Sequence, residues 1–165
     1  MKLTPEGKQQ IEANLNDLRV QLKNLEEEKA VAYNLTGDTW HDNPYFNALT
    51  QSERALNEKI REAEETLAKA EVVDSNSRSI ETVEIGSIIR CICKYPSFSN
   101  EQVYEIAGHG ETNLSNGKIA YDSPVGQNLM GHKSGDIVSF KTPAGNATYE
   151  IVRFYPDWDA AKNEK

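Results

Sequence analysis

Cysteine is scarce in these 165 residues: Cys91 and Cys93 are the only two. Two thiols exclude a disulfide-rich scaffold and fall short of a four-ligand zinc site. No apolar run approaches the ~20 residues that span a bilayer as a helix, so no membrane partner is expected. The opening Met1-Lys2-Leu3-Thr4-Pro5-Glu6-Gly7 lacks the apolar centre of a signal peptide, and a cytoplasmic location is the expectation. Basic residues are in deficit. Eighteen Lys and Arg stand against 26 Asp and Glu, a formal charge of -8, which opposes the basic footprint of a general nucleic-acid binder. A local basic stripe, or a partner itself bound to nucleic acid, remains compatible with that balance. There is no Gly-x-Ser-x-Gly and no Gly-x-x-x-x-Gly-Lys. His41, His109 and His132 form no metal-ligand spacing, and His109 and His132, set beside glycines, read as solvated loop residues.

What is present divides in two near Asp74-Ser75-Asn76-Ser77. Before it, internal glycine and proline are nearly missing; after it, glycines and β-branched residues become frequent. Residues 1–74 carry 15 acids and 9 bases, and residues 75–165 carry 11 and 9, so the acidity belongs mainly to the first half. A domain boundary is expected at 75–80.

The first half reads as two helices. Thr4 and Pro5 form an N-cap with proline in the first helical position. Ile11, Leu15, Leu18, Leu22 and Leu25 recur at steps of four and three, as do Leu56, Ile60, Ala63, Leu67 and Ala70, with Leu49 one heptad before Leu56. In an antiparallel hairpin, facing residues have a constant index sum. Leu15 with Leu67 and Leu22 with Ile60 both give 82, and Leu25 with Leu56 gives 81, so the chain folds about position 41. Gly37 is placed to end the first helix, and Asn43 with Pro44 to start the second. Arms of about 35 residues at ~1.5 Å each would extend ~50 Å, a rod whose tip at about 37–44 is the working end.

The second half reads as strands at 83–85, 88–93, 103–107, 137–141 and 148–154, with a turn at Pro143-Ala144-Gly145-Asn146. Ser123-Pro124 starts a short helix that ends at Gly131. The class is α+β. Cys91 and Cys93 alternate with Ile92, share one strand face, and read as buried core thiols. The tip holds Asp38 and Asp42 beside Trp40 and His41. Paired carboxylates suit Mg²⁺, if another macromolecule supplies the remaining ligands. The competing reading is that Asp42 favours a helix N-terminus and Asp38 is an ordinary loop residue. Arg19 and Lys23 share a helix face, as a phosphate contact or as solvated surface.

These segments in this order resemble the bacterial Gre transcript-cleavage factors, the GreA/GreB family, over nearly the whole chain. The motifs are Leu3-Thr4-Pro5-Glu6-Gly7, Gly37-Asp38, Tyr45-x-x-Ala48, Val83-x-x-Gly86-Ser87, Asp122-Ser123-Pro124-Val125-Gly126, Leu129-Met130-Gly131, Gly135-Asp136 and Tyr149-Glu150-Ile151. The resemblance implies an antiparallel coiled-coil hairpin over 1–75 and an FKBP-like antiparallel β domain over 80–158. It implies RNA polymerase as partner, docked at the secondary-channel rim through Asp122, Ser123 and Pro124, with indirect contact to nascent RNA. The tip would help the polymerase hold a second catalytic Mg²⁺ and cleave backtracked RNA. The factor would bind no cofactor stably and would not be an enzyme alone.

The tip departs from the family pattern. Asp38 keeps the family aspartate, but His41 stands where the family has glutamate, and Asp42 where it has asparagine. Asp38 and Asp42 are therefore the candidate catalytic and metal-facing residues, with His41 a modifier. An imidazole is a poor Mg²⁺ ligand. The alternative is a Gre-like paralogue that occupies the channel and inhibits or modulates the polymerase without stimulating cleavage. Two remote readings are an FKBP-like isomerase or chaperone module, which needs a deep aromatic pocket, and a pure coiled-coil adaptor.

Overall fold

The computed structural model describes residues 1–36, 40, 42–74, 79–142 and 145–163. They form two units, Lys8–Ala70 and Met1–Gly7 with Glu71–Lys165. The chain thus crosses between units near residues 7 and 70, and the N-terminal stretch joins the second unit. The compositional boundary at 75–80 does not register this, and 75–78 lie outside the described residues. The cause is strand pairing: β1 (Lys2–Leu3) runs parallel to β2 (Glu71–Val72).

The helical unit is built from α1 (Pro5–Thr36) and α2 (Pro44–Lys69). Thr4 caps α1, its Oγ1 accepting from Gly7 N–H at 3.0 Å. Asn43 caps α2, its Oδ1 accepting from Tyr45 N–H at 2.9 Å, and Pro44 fills the first turn where no N–H partner is needed. Ala70, expected as the last seam residue, is instead the C-cap. Ion pairs across the hairpin give the register: Arg19 with Glu64 and Lys29 with Glu53, index sums of 83 and 82. The expected fold-back is therefore observed. Leu15, Leu18, Ala32, Phe46 and Leu49 are buried, and the other seam residues are half-buried, as two helices alone can cover only one stripe of each other.

The second unit carries a five-stranded sheet of β3 (Ile88–Lys94), β4 (Ser99–Ala107), β5 (Lys118–Ala120), β6 (Ile137–Thr142) and β7 (Gly145–Tyr155), in the order β5-β4-β3-β7-β6. Three pairs are antiparallel. The fourth, β4 with β5, is parallel, so the sheet is mixed rather than wholly antiparallel. The strand expected at 83–85 does not form. Val83 N–H donates to the His132 carbonyl at 2.8 Å, and its carbonyl accepts from Gly131 N–H at 2.8 Å, so its backbone groups are taken by a loop. Gly86, at φ 92°, then turns the chain into β3.

Period two puts Ile89, Cys91 and Cys93 on one face, where they pack with Tyr104, Ile106, Tyr149, Ile151 and Leu129. Leu129 belongs to α3 (Pro124–Leu129), which covers that face. A bulge lies where Arg90 faces Arg153 but Cys91 faces Ile151, leaving Val152 extra. The extra residue resets the alternation along β7. Phe154 therefore joins the main core, while Tyr155 turns to the other face with Ile88 and Ala161 of α4 (Trp158–Asn163). Burial pushes the Cys91 thiol up to about 12, with the neighbouring Cys93 adding to it.

Candidate functional site

The end of the hairpin is built on aromatic packing. Trp40 meets Phe46 edge-on at 5.1 Å between ring centres, and Tyr33 lies 6.0 Å from Trp40 and 6.3 Å from Phe46. Lys29 sits 5.4 Å over the Phe46 ring while paired with Glu53. The Tyr45 hydroxyl bonds to Glu28, and that carboxylate raises the tyrosine pKa. Asn43 N–H donates to the Trp40 carbonyl at 3.2 Å. Asp42 therefore lies between the Trp40 and Asn43 anchors, and it is exposed. Asp38, His41 and Gly37 lie outside the described residues.

The second candidate surface starts at the foot of α3. Ser123 caps the helix, its Oγ accepting from Gly126 N–H at 3.0 Å, and Pro124 occupies the first helical position, exposed. Gly126 is there because a Cβ would fall 2.1 Å from the Ala120 carbonyl oxygen. The Asp122 carboxylate contacts Nδ1 of His109, and its backbone carbonyl accepts from Gln127 Nε2 at 2.9 Å. The structure thus brings Asp122, Ser123 and Pro124 together at one helix start.

Both loop histidines are solvent-accessible, as expected, with side chains 38% and 41% exposed, but each also holds a carboxylate partner. His109 is bound to Asp122, and His132 to Asp136 at 3.1 Å. Asp136 is held below its ordinary pKa, first by the Lys133 N–H and then by His132. The partners lie 13 and four residues away, and although Asp122 and Asp136 both stand in family-like motifs, no spacing in the sequence pairs either with its histidine. Arg19 bonds to Glu64 at 2.7 Å on the exposed hairpin surface.

Residues 77–156 match the family model described as transcription elongation factor, GreA/GreB, C-term. Over 150 residues the chain is 31% identical to transcription elongation factor GreA of Lachnoclostridium phytofermentans, covering 91% of this chain and 92% of that one. The chain belongs to the GreA/GreB family of transcription elongation factors. A second family member, GreA of Clostridium botulinum, is 36% identical over 152 residues, 91% of this chain and 92% of its own. Among solved structures, Gfh1 of Thermus aquaticus is similar at 24% identity with a TM-score of 0.43, covering 94% of this chain and 97% of that one. For this GreA/GreB member, no helix among the described residues is long and apolar enough to cross a membrane.

Proposed function

We propose that this chain binds RNA polymerase at the rim of its secondary channel and stimulates the polymerase to cleave its own backtracked RNA. The observation that carries the reading is family membership over 91% of the chain, a span long enough to take in both the hairpin and the Asp122-Ser123-Pro124 helix start. Pro124 and the Asp122 carboxylate are accessible there, so α3 can be capped internally while the motif still meets a partner.

At the tip, Asp38 and Asp42 would hold Mg²⁺ together with the polymerase's own groups. Exposed carboxylate oxygen is the donor that this hard ion prefers, and Asp42 is exposed. When bound, the ion stabilises charge on the attacking and leaving oxygens. The chain's own part is to carry two negative charges to the end of a rod. Trp40, Phe46 and the Asn43 cap brace the base of that loop. Because the remaining ligands come from the polymerase, the factor is not a catalyst alone.

His41 at the family's glutamate position supports the second reading, a channel-occupying modulator with weak cleavage stimulation. A cleavage assay on backtracked complexes separates the two, comparing the native chain with Asp38→Ala, Asp42→Ala and His41→Glu. The expected result is that Asp38→Ala abolishes stimulation, Asp42→Ala reduces it and His41→Glu raises it. If all four behave alike while elongation is still inhibited, the modulator reading replaces the cleavage reading.

A further inference from the structure

In the motif proposed to dock, the polar groups of Ser123 and the Asp122 backbone are used by α3 itself, through Gly126 N–H and the Gln127 side chain. The Asp122 carboxylate is not. Its partner is the imidazole of His109, on the loop after β4. An ionised carboxylate only accepts, so Nδ1 of His109 carries the proton between them. The two side chains are 38% and 29% exposed, which leaves the pair restrained yet within reach of a partner.

His109 is itself fixed from three sides. Its backbone N–H donates to the Lys2 carbonyl of β1 at 2.8 Å. Glu111 N–H closes the turn onto the Gly108 carbonyl at 3.3 Å, and Gly110 takes φ +70°. Gly108 lets the loop lie against β1, since a Cβ there would fall 2.8 Å from the Thr4 nitrogen. The charged neighbours are Lys2, exposed on β1, and Glu111, whose carboxylate is bound to Thr4.

We infer that His109 is a positioning residue for docking: it orients the Asp122 carboxylate outward, toward a cationic or N–H-bearing group on the polymerase, and ties that orientation to β1. The inference rests on the reading that Asp122, Ser123 and Pro124 dock. It adds a residue that the docking motif itself does not contain.

The test measures affinity of the full chain for bacterial core RNA polymerase. The variants are Asp122→Ala, His109→Phe, His109→Asn and the double change His109→Phe with Asp122→Ala. Asparagine places an N–H near the position of Nδ1, whereas phenylalanine keeps the ring and removes the donor. Loss of a charge-assisted hydrogen bond predicts about tenfold weaker binding for His109→Phe, with His109→Asn within about threefold of native. The double change should bind no more weakly than Asp122→Ala alone, because both act on one carboxylate. Each variant is checked for a native unfolding transition, and the asparagine rescue separates lost positioning from lost packing. If Asp122→Ala weakens binding but His109→Phe does not, or if His109→Asn is as weak as His109→Phe, the positioning role is wrong and the docking reading stands. If Asp122→Ala binds as native, the docking reading itself falls and this inference with it.

Discussion

Thr4 and Glu111 are joined by two hydrogen bonds across 107 positions of sequence: Thr4 N–H to Oε1 at 2.9 Å and Thr4 Oγ1–H to Oε2 at 2.6 Å. The same Thr4 hydroxyl accepts from Gly7 N–H. A carboxylate therefore reaches the N-terminus of α1 through its cap, where negative charge is favoured. Gly7 is needed for this, because a Cβ there would lie 1.9 Å from Glu111 Oε1.

Glu111→Ala should destabilise the second unit by ~2 kcal/mol, the scale of a charge-assisted pair lost at a partly buried site. Glu111→Gln keeps an acceptor oxygen for one of the two bonds and should cost less. Thermal unfolding of the two variants beside the native chain checks this; equal midpoints for all three would exclude a structural role for the pair.

Phe46→Ala removes a buried ring that touches Trp40, Tyr33 and Lys29. The expected cost is ~3 kcal/mol, in the range for deleting a buried aromatic side chain. It should be visible in circular dichroism as earlier melting of helix. Asn43→Ala at the adjacent cap should cost ~1 kcal/mol.

Trp158 Nε1–H donates to the buried Glu105 carboxylate at 2.6 Å. Trp158→Phe keeps an aromatic ring but removes that donor, and should cost ~1–3 kcal/mol, the penalty for depriving a buried polar group of a partner. Urea unfolding is the measurement, and a midpoint equal to native would show that the carboxylate finds another donor.

Cys91 is an acid whose folded pKa, about 12, lies above its ordinary value of 9.0. The folded state favours the neutral thiol, so this contribution to stability is complete below pH 9 and is lost as pH rises from 9 toward 12. Cys93 is raised as well, chiefly by burial. At pH 8 a thiol-alkylating reagent should leave both cysteines unmodified in the native chain and modify both after unfolding. Mass spectrometry reads the difference.

The sequence by itself determined the hairpin and its register, because helix packing follows a spacing of three and four residues and Asn43-Pro44 is a local start signal. It also determined which face of β3 carries Cys91 and Cys93, because strand alternation is local. Only the tertiary structure decided the parallel pairing of β1 with β2 and of β4 with β5, since two- and three-residue strands carry too little pattern to name a partner. It decided the bulge at Val152, which moves Tyr155 to the opposite face from Phe154. The strand expected at 83–85 failed for the related reason that strand propensity is realised only when a neighbouring strand is free to pair. The contacts Thr4–Glu111 and His109–Asp122 belong to the same group. Glycine, histidine and glutamate in a short loop have no period, and their roles come from the backbone that the fold lays beside them.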